Sequence, residues 1–337
     1  MKKNKFINCA VIGLGIGEKH LNTLLSIKEA KVVGICDFNK KKLSKIKKKY
    51  KKKIGDNCIY THDYKKILNI FDLDLIIIAS YDNFHCKHII EFSKKKINIF
   101  VEKPICQTKQ ELKIIKKQIK KNNILLGCNF VLRENPIFKN LKSKIKKGEF
   151  GKLYHFEGEY NYGRIEKIHN GWRGKIPFYS IHQGGTIHIL DLILFFNNSK
   201  IKNIFTLSNR ISSHKTKFIH QDISTVIMKF FDGSTAKITS NFSSITPHHH
   251  KLSVFGTKKT FDYNYTNNIY FSSKDNQKKK INISQNIKKY DKSITLKNFL
   301  KNINSKKNNI KSDMKDLFYL MKIILDIDLN MKKTSQT

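Results

Sequence analysis

The chain has 337 residues, 39% of them hydrophobic and 11% aromatic, which is more than a single core normally uses and too apolar for global disorder. Lysine and arginine total 66 against 26 acids, a formal net charge of +40. Only four of the 66 are arginines (Arg133, Arg164, Arg173, Arg210), which argues against a specific nucleic-acid reader, because such proteins lean on guanidinium forks; the lysines are read as solvated helix faces.

Five nearly continuous apolar runs, Phe6–Ile12, Lys31–Cys36, Leu73–Ala79, Ile97–Val101 and Ile124–Cys128, predict strands buried on both faces. Between them Glu18–Lys28, Lys40–Lys53, Asn83–Lys95 and Lys109–Lys121 have helical spacing. Such alternation predicts a doubly wound parallel sheet with right-handed crossovers, a dinucleotide-binding domain over residues 1–125. From residue 126 onward the pattern changes. A helix over Pro136–Lys147, ended by Gly148 and Gly151, leads into strands at Leu153–Tyr162, Ile201–Ile211, Phe218–Phe231, Ser234–Phe242, Lys251–Phe255 and Ile269–Ser272. Phe231-Asp232-Gly233-Ser234 reads as a hairpin turn, Gly184–Phe196 as a helical insert, and the lysine-rich Ser273–Lys280 as a loop. Helices near Ser293–Asn302 and Ser312–Met331 close an α+β domain, 126–337, with a mainly antiparallel sheet.

No uncharged apolar run is long enough to span a bilayer, and the basic start passes through Phe6–Ile12 into a glycine loop without a signal-like apolar core. All six cysteines fall within the first 128 residues and none forms a CxxC pair, so neither disulfides nor a zinc ribbon are expected. A soluble cytoplasmic protein is the expectation.

The first strand ends in Gly13-Leu14-Gly15-Ile16-Gly17-Glu18-Lys19-His20, and Asp37 ends the second. Glycines there let the backbone approach a pyrophosphate at a helix N-terminus, and the acid accepts hydrogen bonds from the adenosine ribose while repelling a 2′-phosphate. Gly13, Gly15, Ile16, Gly17 and Asp37 are therefore cofactor-binding candidates, and NAD is favoured over NADP, with the lysines at 40, 41 and 42 as a partial offset. The spacing is one residue short of the usual GxGxxG, which leaves open whether Gly17 is the packing glycine. Ser80, Tyr81 and His85, which follow the central strand at its ligand-binding end, and Glu102 and Lys103, in the Glu102-Lys103-Pro104 step that ends the next, are further cofactor-binding candidates. The Lys–Pro step fixes the backbone, and a cis bond there would aim the ammonium at the nicotinamide face.

With these residues on view, the chain resembles the glucose–fructose oxidoreductase, inositol dehydrogenase and rhizopine-catabolism family of NAD(P)-dependent oxidoreductases. The resemblance rests on the glycine loop with His20, Asp37, Ala79-Ser80…His85, Glu102-Lys103-Pro104, Gly127-Cys128-Asn129…Arg133-Glu134-Asn135-Pro136, Gly148–Leu153 and Val254–Lys258. It implies a Rossmann domain, an open-faced sheet domain often used for oligomerisation, and hydride transfer between nicotinamide and a carbinol carbon of a sugar, cyclitol or nucleotide-sugar. It also implies that Lys103 touches cofactor and substrate hydroxyl, and that His188, with Asp191 three residues on, supplies acid/base chemistry. Lys103, His188 and Asp191 are the catalytic candidates. Many members carry an Asp four residues before that His; here the position is Gly184. His182 is a candidate substitute donor, and Trp172-Arg173 a candidate sugar platform. No metal is expected, because helical spacing brings only His188 and Asp191 of this group together, and His248-His249-His250 reads as a strand end at the surface. A non-catalytic dinucleotide sensor is the competing function, and a polyanion-binding structural protein, resting on charge alone, a third.

Overall fold

The computed structural model describes residues 6–264, 269–273, 276–281, 290–305 and 309–334. The first sheet holds β1 (Ile7–Ile12), β2 (Ala30–Cys36), β3 (Ile59–Thr61), β4 (Leu75–Ile78), β5 (Asn98–Val101) and β6 (Leu126–Cys128) in the order β3-β2-β1-β4-β5-β6, and every pairing is parallel. The order reverses between β1 and β4, so the carboxyl ends of those strands border the crevice in which doubly wound sheets bind ligands. Helices α1 (Gly17–Leu24), α2 (Lys40–Ile54), α3 (Tyr64–Leu68), α4 (Asp82–Lys94) and α5 (Lys109–Asn122) form the crossovers. All four residues of β4 are buried, as a strand covered on both faces must be. Local signals fix the helix ends: Asn39 caps α2, and Thr108 and Glu111 form a reciprocal capping box on α5. The short β3 and α3 are additions to the sequence reading.

The second sheet follows α6 (Pro136–Lys146). Its strands are β7 (Leu153–Asn161), β8 (Ile201–Asn209), β9 (Ile223–Phe230), β10 (Thr235–Asn241), β11 (His249–Gly256), β12 (Lys259–Tyr263), β13 (Ile269–Ser273) and β14 (Asn276–Ile281), in the order β14-β13-β12-β11-β7-β10-β9-β8. Only β7 and β10 pair in parallel. Between β7 and β8 lie α7 (Ile165–His169), a wide π-turn over His182–Thr186 and α8 (Ile187–Phe196). Phe156, Tyr160, Val226, Met228, Ile238, Leu252 and Val254 are buried, at alternate positions of their strands, while Phe205, Leu207 and Ile227 stand exposed. The hairpin at Gly233 has the expected positive φ of 88°.

Two sequence readings need correction here. The stretch read as a loop at Ser273–Lys280 carries strand β14 from Asn276, with residues 274 and 275 outside the described residues. This strand is the sheet edge, where lysine is favoured because it discourages pairing with another chain, so its composition resembled a loop. The run Phe218–Phe231 enters the sheet only at Ile223; Phe218 is fully buried ahead of the strand.

Contacts divide the chain into one compact unit of Met1–Val131 with Lys292–Met321 and another of Leu132–Asp291 with Lys322–Thr337. The expected division at 125/126 assigned everything after it to the second domain. The difference arises from α9 (Ile294–Ser305), whose Leu296, Phe299 and Leu300 join the buried cluster of Leu21, Leu24, Leu75 and Phe100. The Phe100 and Phe299 rings lie 5.5 Å apart, and each such side chain contributes about 1.5–3 kcal/mol on burial. The dividing point at Met321 falls within α10 (Asn309–Thr334).

Candidate active site

In the first unit the glycine loop is a tight cradle. Gly13 has φ 84°, and a Cβ on it would strike the Ala79 carbonyl, so only glycine fits. A Cβ on Gly17 would lie 3.1 Å from Val11 Cγ1 and 3.2 Å from the Ala79 Cβ. Gly17 is thus the residue that lets α1 approach β1 and β4, and the shortened spacing still builds the motif. Ile16 is the N-cap of α1 and makes no side-chain cap hydrogen bond, so no side chain caps that helix end. Its first-turn N–H groups suit a pyrophosphate. Asp37 is buried; Oδ2 accepts from the Leu14 N–H at 2.7 Å and Oδ1 from the Asn39 N–H at 2.8 Å. Each oxygen retains acceptor capacity for a ribose hydroxyl. Beside it, the exposed Phe38 ring meets Tyr81, the N-cap of α4, edge-on at 5.4 Å. These features fit a dinucleotide.

Lys103 follows β5, and its bond to Pro104 is cis. Glu102, expected to touch the cofactor, is instead braced inside the unit: Oε1 lies 2.8 Å from His20 Nε2 and accepts from Asn129 Nδ2 at 2.7 Å. Burial raises its pKa, but hydrogen bonding and charge from His20, with help from Asn129 and Lys103, win and hold the carboxyl below its ordinary value. His20 on α1 therefore ties the glycine-loop helix to the residue preceding Lys103. His85 also differs from expectation. It is fully buried, with Nδ1 2.6 Å from the Pro104 carbonyl and Nε2 3.0 Å from the Ser80 carbonyl. It joins the ends of β4 and β5 rather than facing a ligand. The Ser80 hydroxyl pairs with His88 Nδ1 at 3.1 Å, and burial pushes His88 down to about 4.

In the second unit α8 presents His188, half-buried and stacked on Tyr160 at 5.4 Å with an 11° interplanar angle. Burial pushes the Tyr160 hydroxyl pKa up, against the opposing charges of Arg173 and Arg164. His250 packs edge-on to His188 at 6.1 Å and lies 5.1 Å from Tyr160. His248 sits 5.0 Å from His250, with burial pushing it down to about 4. The histidine run read as a surface strand end is thus part of the surroundings of His188, through the β7–β11 register that pairs His250 with Tyr160.

Asp191, read as catalytic, is an anchor. Its side chain is 1% exposed, and both oxygens accept from Arg133 Nε at 2.9 Å, with Arg133 Nη2 2.7 Å from Oδ1. The substitute-donor reading of His182 gives way to burial. Its ring is 0% exposed, Nδ1 lies 3.0 Å from Thr186 Oγ1 and Nε2 3.4 Å from Ser224 Oγ, and desolvation pushes it down to about 3. Gly184 has a steric cause. A Cβ there would fall 2.5 Å from Tyr179 Oη and 2.8 Å from Phe242 Cζ, so Tyr179 fills the space a carboxylate side chain would need. Arg173 stacks over Trp172 at 4.5 Å and over Tyr179 at 5.8 Å, making one aromatic–cation group of the expected platform. Ser180 and Gln183 both hydrogen-bond the buried Asp328, which holds the π-turn ahead of α8. Among the described residues no group of three or more His, Cys, Asp or Glu is placed to hold a metal, and no helix is long and apolar enough to cross a membrane.

Sequence reasoning missed Phe38, His88 and Tyr179, and it gave Arg133 and His250 no role at the site. The rarity of arginine was a usable signal, since a fork in so lysine-rich a chain marks a position where lysine would not serve.

Two family models match the chain. Residues 7–130 match the oxidoreductase family with an NAD-binding Rossmann fold, and residues 138–262 match the GFO/IDH/MocA C-terminal domain, together well over half of the chain. The sequence is 24% identical over 256 residues to a myo-inositol 2-dehydrogenase of Thermotoga maritima, covering 74% of this chain and 72% of that protein. The fold matches the crystal structure of myo-inositol 2-dehydrogenase from Lactobacillus plantarum with a TM-score of 0.80 at 19% identity, covering 98% of each chain. It also matches scyllo-inositol dehydrogenase from Lactobacillus casei, solved with bound NAD(H) and scyllo-inositol, with a TM-score of 0.79 at 16% identity and 98% of each chain covered.

Proposed function

The chain belongs to the GFO/IDH/MocA family of NAD-binding oxidoreductases, and from that premise we propose that it is a dehydrogenase acting on a carbinol carbon of a cyclitol or related sugar. A nucleotide-linked sugar is the second substrate class. The observation that carries the reading is the Glu102-Lys103-Pro104 step at the end of β5, tied through the Glu102–His20 contact to the helix of the glycine loop. When bound, NAD supplies the hydride acceptor. The Lys103 ammonium stabilises the developing alkoxide. His188 takes the hydroxyl proton, since a neutral imidazole nitrogen accepts a proton and its stacking on Tyr160 fixes the ring plane. Arg133 holds Asp191, and through it the helix that carries His188. Arg173 and Trp172 offer a cation and a ring face to sugar hydroxyls and C–H groups.

The relatives named above for inositol oxidation favour a cyclitol. Incubation with NAD and a panel of myo-inositol, scyllo-inositol, hexoses and nucleotide-sugars, followed at 340 nm, tests this. Growth of absorbance with a cyclitol is the expected result; silence across the panel while NADH still binds would favour the sensor reading, which the filled space at Gly184 supports. We further propose a homo-oligomer formed through the sheet face bearing Phe205, Leu207 and Ile227, with a cytoplasmic location suited to its mostly buried thiols. Light scattering that finds only monomer would remove the oligomer.

A further inference from the structure

Within the second unit three tyrosines pack on one buried ring. Tyr160, Tyr162 and Tyr179 lie 6.3, 5.6 and 5.8 Å from Phe242. His188 stacks on the first of them, and the planes of Tyr160 and Tyr162 are 14° apart at 6.3 Å. The other two tyrosines each carry a guanidinium: Arg164 lies 6.0 Å over Tyr162, and Arg173 5.8 Å over Tyr179. Two of the chain's four arginines thus meet on the ring cluster that holds His188. Arg173 and Arg164 both act on the Tyr160 hydroxyl, and Arg164 also acts on His248, 5.7 Å from Tyr162. The acids of the surrounding elements are engaged elsewhere: Glu159 with Lys251, Glu166 with Asn170, Asp191 with Arg133, and Asp328 with Ser180 and Gln183. Arg164 itself is exposed, and its side chain makes no ion pair or hydrogen bond among the described residues.

We infer that Arg164 is a substrate-specificity residue: it receives an oxyanion, phosphate or carboxylate, carried by the cyclitol or sugar that His188 deprotonates. This rests on the dehydrogenase reading and deepens it by naming the charge of the substrate. A guanidinium lying on a ring face keeps its N–H fork at the edge, where it binds two oxygens of an anion at once. Lysine is the default cation of this chain, and its point charge offers no such fork, so an arginine here marks a two-oxygen ligand. Polyol hydroxyls donate as well as accept, so a site for a neutral polyol needs strong acceptors. This cluster instead offers cations, imidazoles and phenols, and its acids are taken. The stacked rings of Tyr162 and Tyr160 separate Arg164 from His188. The oxyanion therefore lies away from the reacting carbon and acts on binding rather than on proton transfer.

Initial rates of NAD reduction by the full chain, with matched neutral and anionic compounds, provide the test. The pairs are myo-inositol against an inositol monophosphate, and a hexose against its phosphate monoester and its uronic acid. An anionic member should exceed its neutral parent in kcat/KM by about tenfold or more, as a charge-assisted bidentate contact warrants. An advantage confined to the phosphates or to the carboxylate identifies the oxyanion. Arg164→Gln should raise KM for the favoured anion by about tenfold with kcat nearly unchanged, and leave the neutral parent as it was. Arg164→Lys should restore part of the loss. Lys167→Gln, at an exposed lysine of α7, should leave both compounds unchanged, which separates the fork from the overall positive charge. Because Arg164 is exposed, the anionic advantage should shrink at high salt. Neutral parents used as well as the anionic compounds, or equal losses on both in Arg164→Gln, would overturn the inference while leaving the dehydrogenase reading standing. No NAD reduction by any of the compounds, with NADH still bound, would overturn that reading and this inference with it.

Discussion

Acidification should weaken the second unit through His182, and the size of the effect follows from its burial. The ring is fully enclosed, its two nitrogens lie near the hydroxyls of Thr186 and Ser224, and desolvation pushes it down to about 3. In an unfolded chain the group titrates near 6.5. The folded state thus binds fewer protons than the unfolded one below that value, so the contribution is full above about pH 6.5 and is lost as pH falls toward 3. At pH 5 the unfolded imidazole is almost wholly protonated and the folded one is not. At about 1.4 kcal/mol per tenfold change in proton activity, this costs about 2 kcal/mol relative to pH 8. His182→Gln removes the titration while keeping a polar amide for the two hydroxyls. Scanning calorimetry of both proteins at pH 8 and pH 5 isolates the effect, because His88 and His248, each near 4, add the same loss to both. The fall in Tm between the two pH values should be about 4–8 °C smaller in the variant, at roughly 2–4 °C per kcal/mol for a domain of this size. Equal falls in the two proteins would refute the reasoning.

Arg133→Met should destabilise the protein by about 3–5 kcal/mol in urea unfolding, because it strips the guanidinium fork from a carboxylate that is 1% exposed. Adding Asp191→Leu should recover much of that loss. Gly184→Asp, which restores the acid many family members carry, should cost about 1–3 kcal/mol by overpacking against Tyr179 and Phe242. Combining it with Tyr179→Ala should return part of the Tm, and an unchanged Tm for the single variant would remove Tyr179 as the explanation for the glycine.

The first sheet was legible in the sequence because parallel strands buried on both faces leave continuous apolar runs such as Leu75–Ile78. The glycine loop and Asp37 stood out in the sequence because their chemistry is local. Gly17 was left open only because counting residues does not reveal that Val11 and Ala79 pack against it. What stayed hidden depends on partners far apart in the chain. Asp191 looked catalytic until Arg133, 58 residues away, proved to hold it. His85 sat at the right strand end for a cofactor ligand, yet its ring turns inward to the carbonyls of Ser80 and Pro104. The return of α9 to the first unit rests on Phe299 meeting Phe100, which no local pattern announces. The grouping of His188 with His248 and His250 follows from strand register around Tyr160, and the lysines of β14 mark an edge strand with a loop-like composition.

The most direct test of the mechanism is kcat for His188→Ala on the polyol that reduces NAD fastest, measured beside NADH affinity of the same preparation. General acid/base groups contribute about 10²–10⁴-fold, so kcat should fall by that order while the NADH Kd stays within about threefold of the unaltered protein. Retention of near-full kcat by His188→Ala would contradict the assignment of the proton transfer to His188.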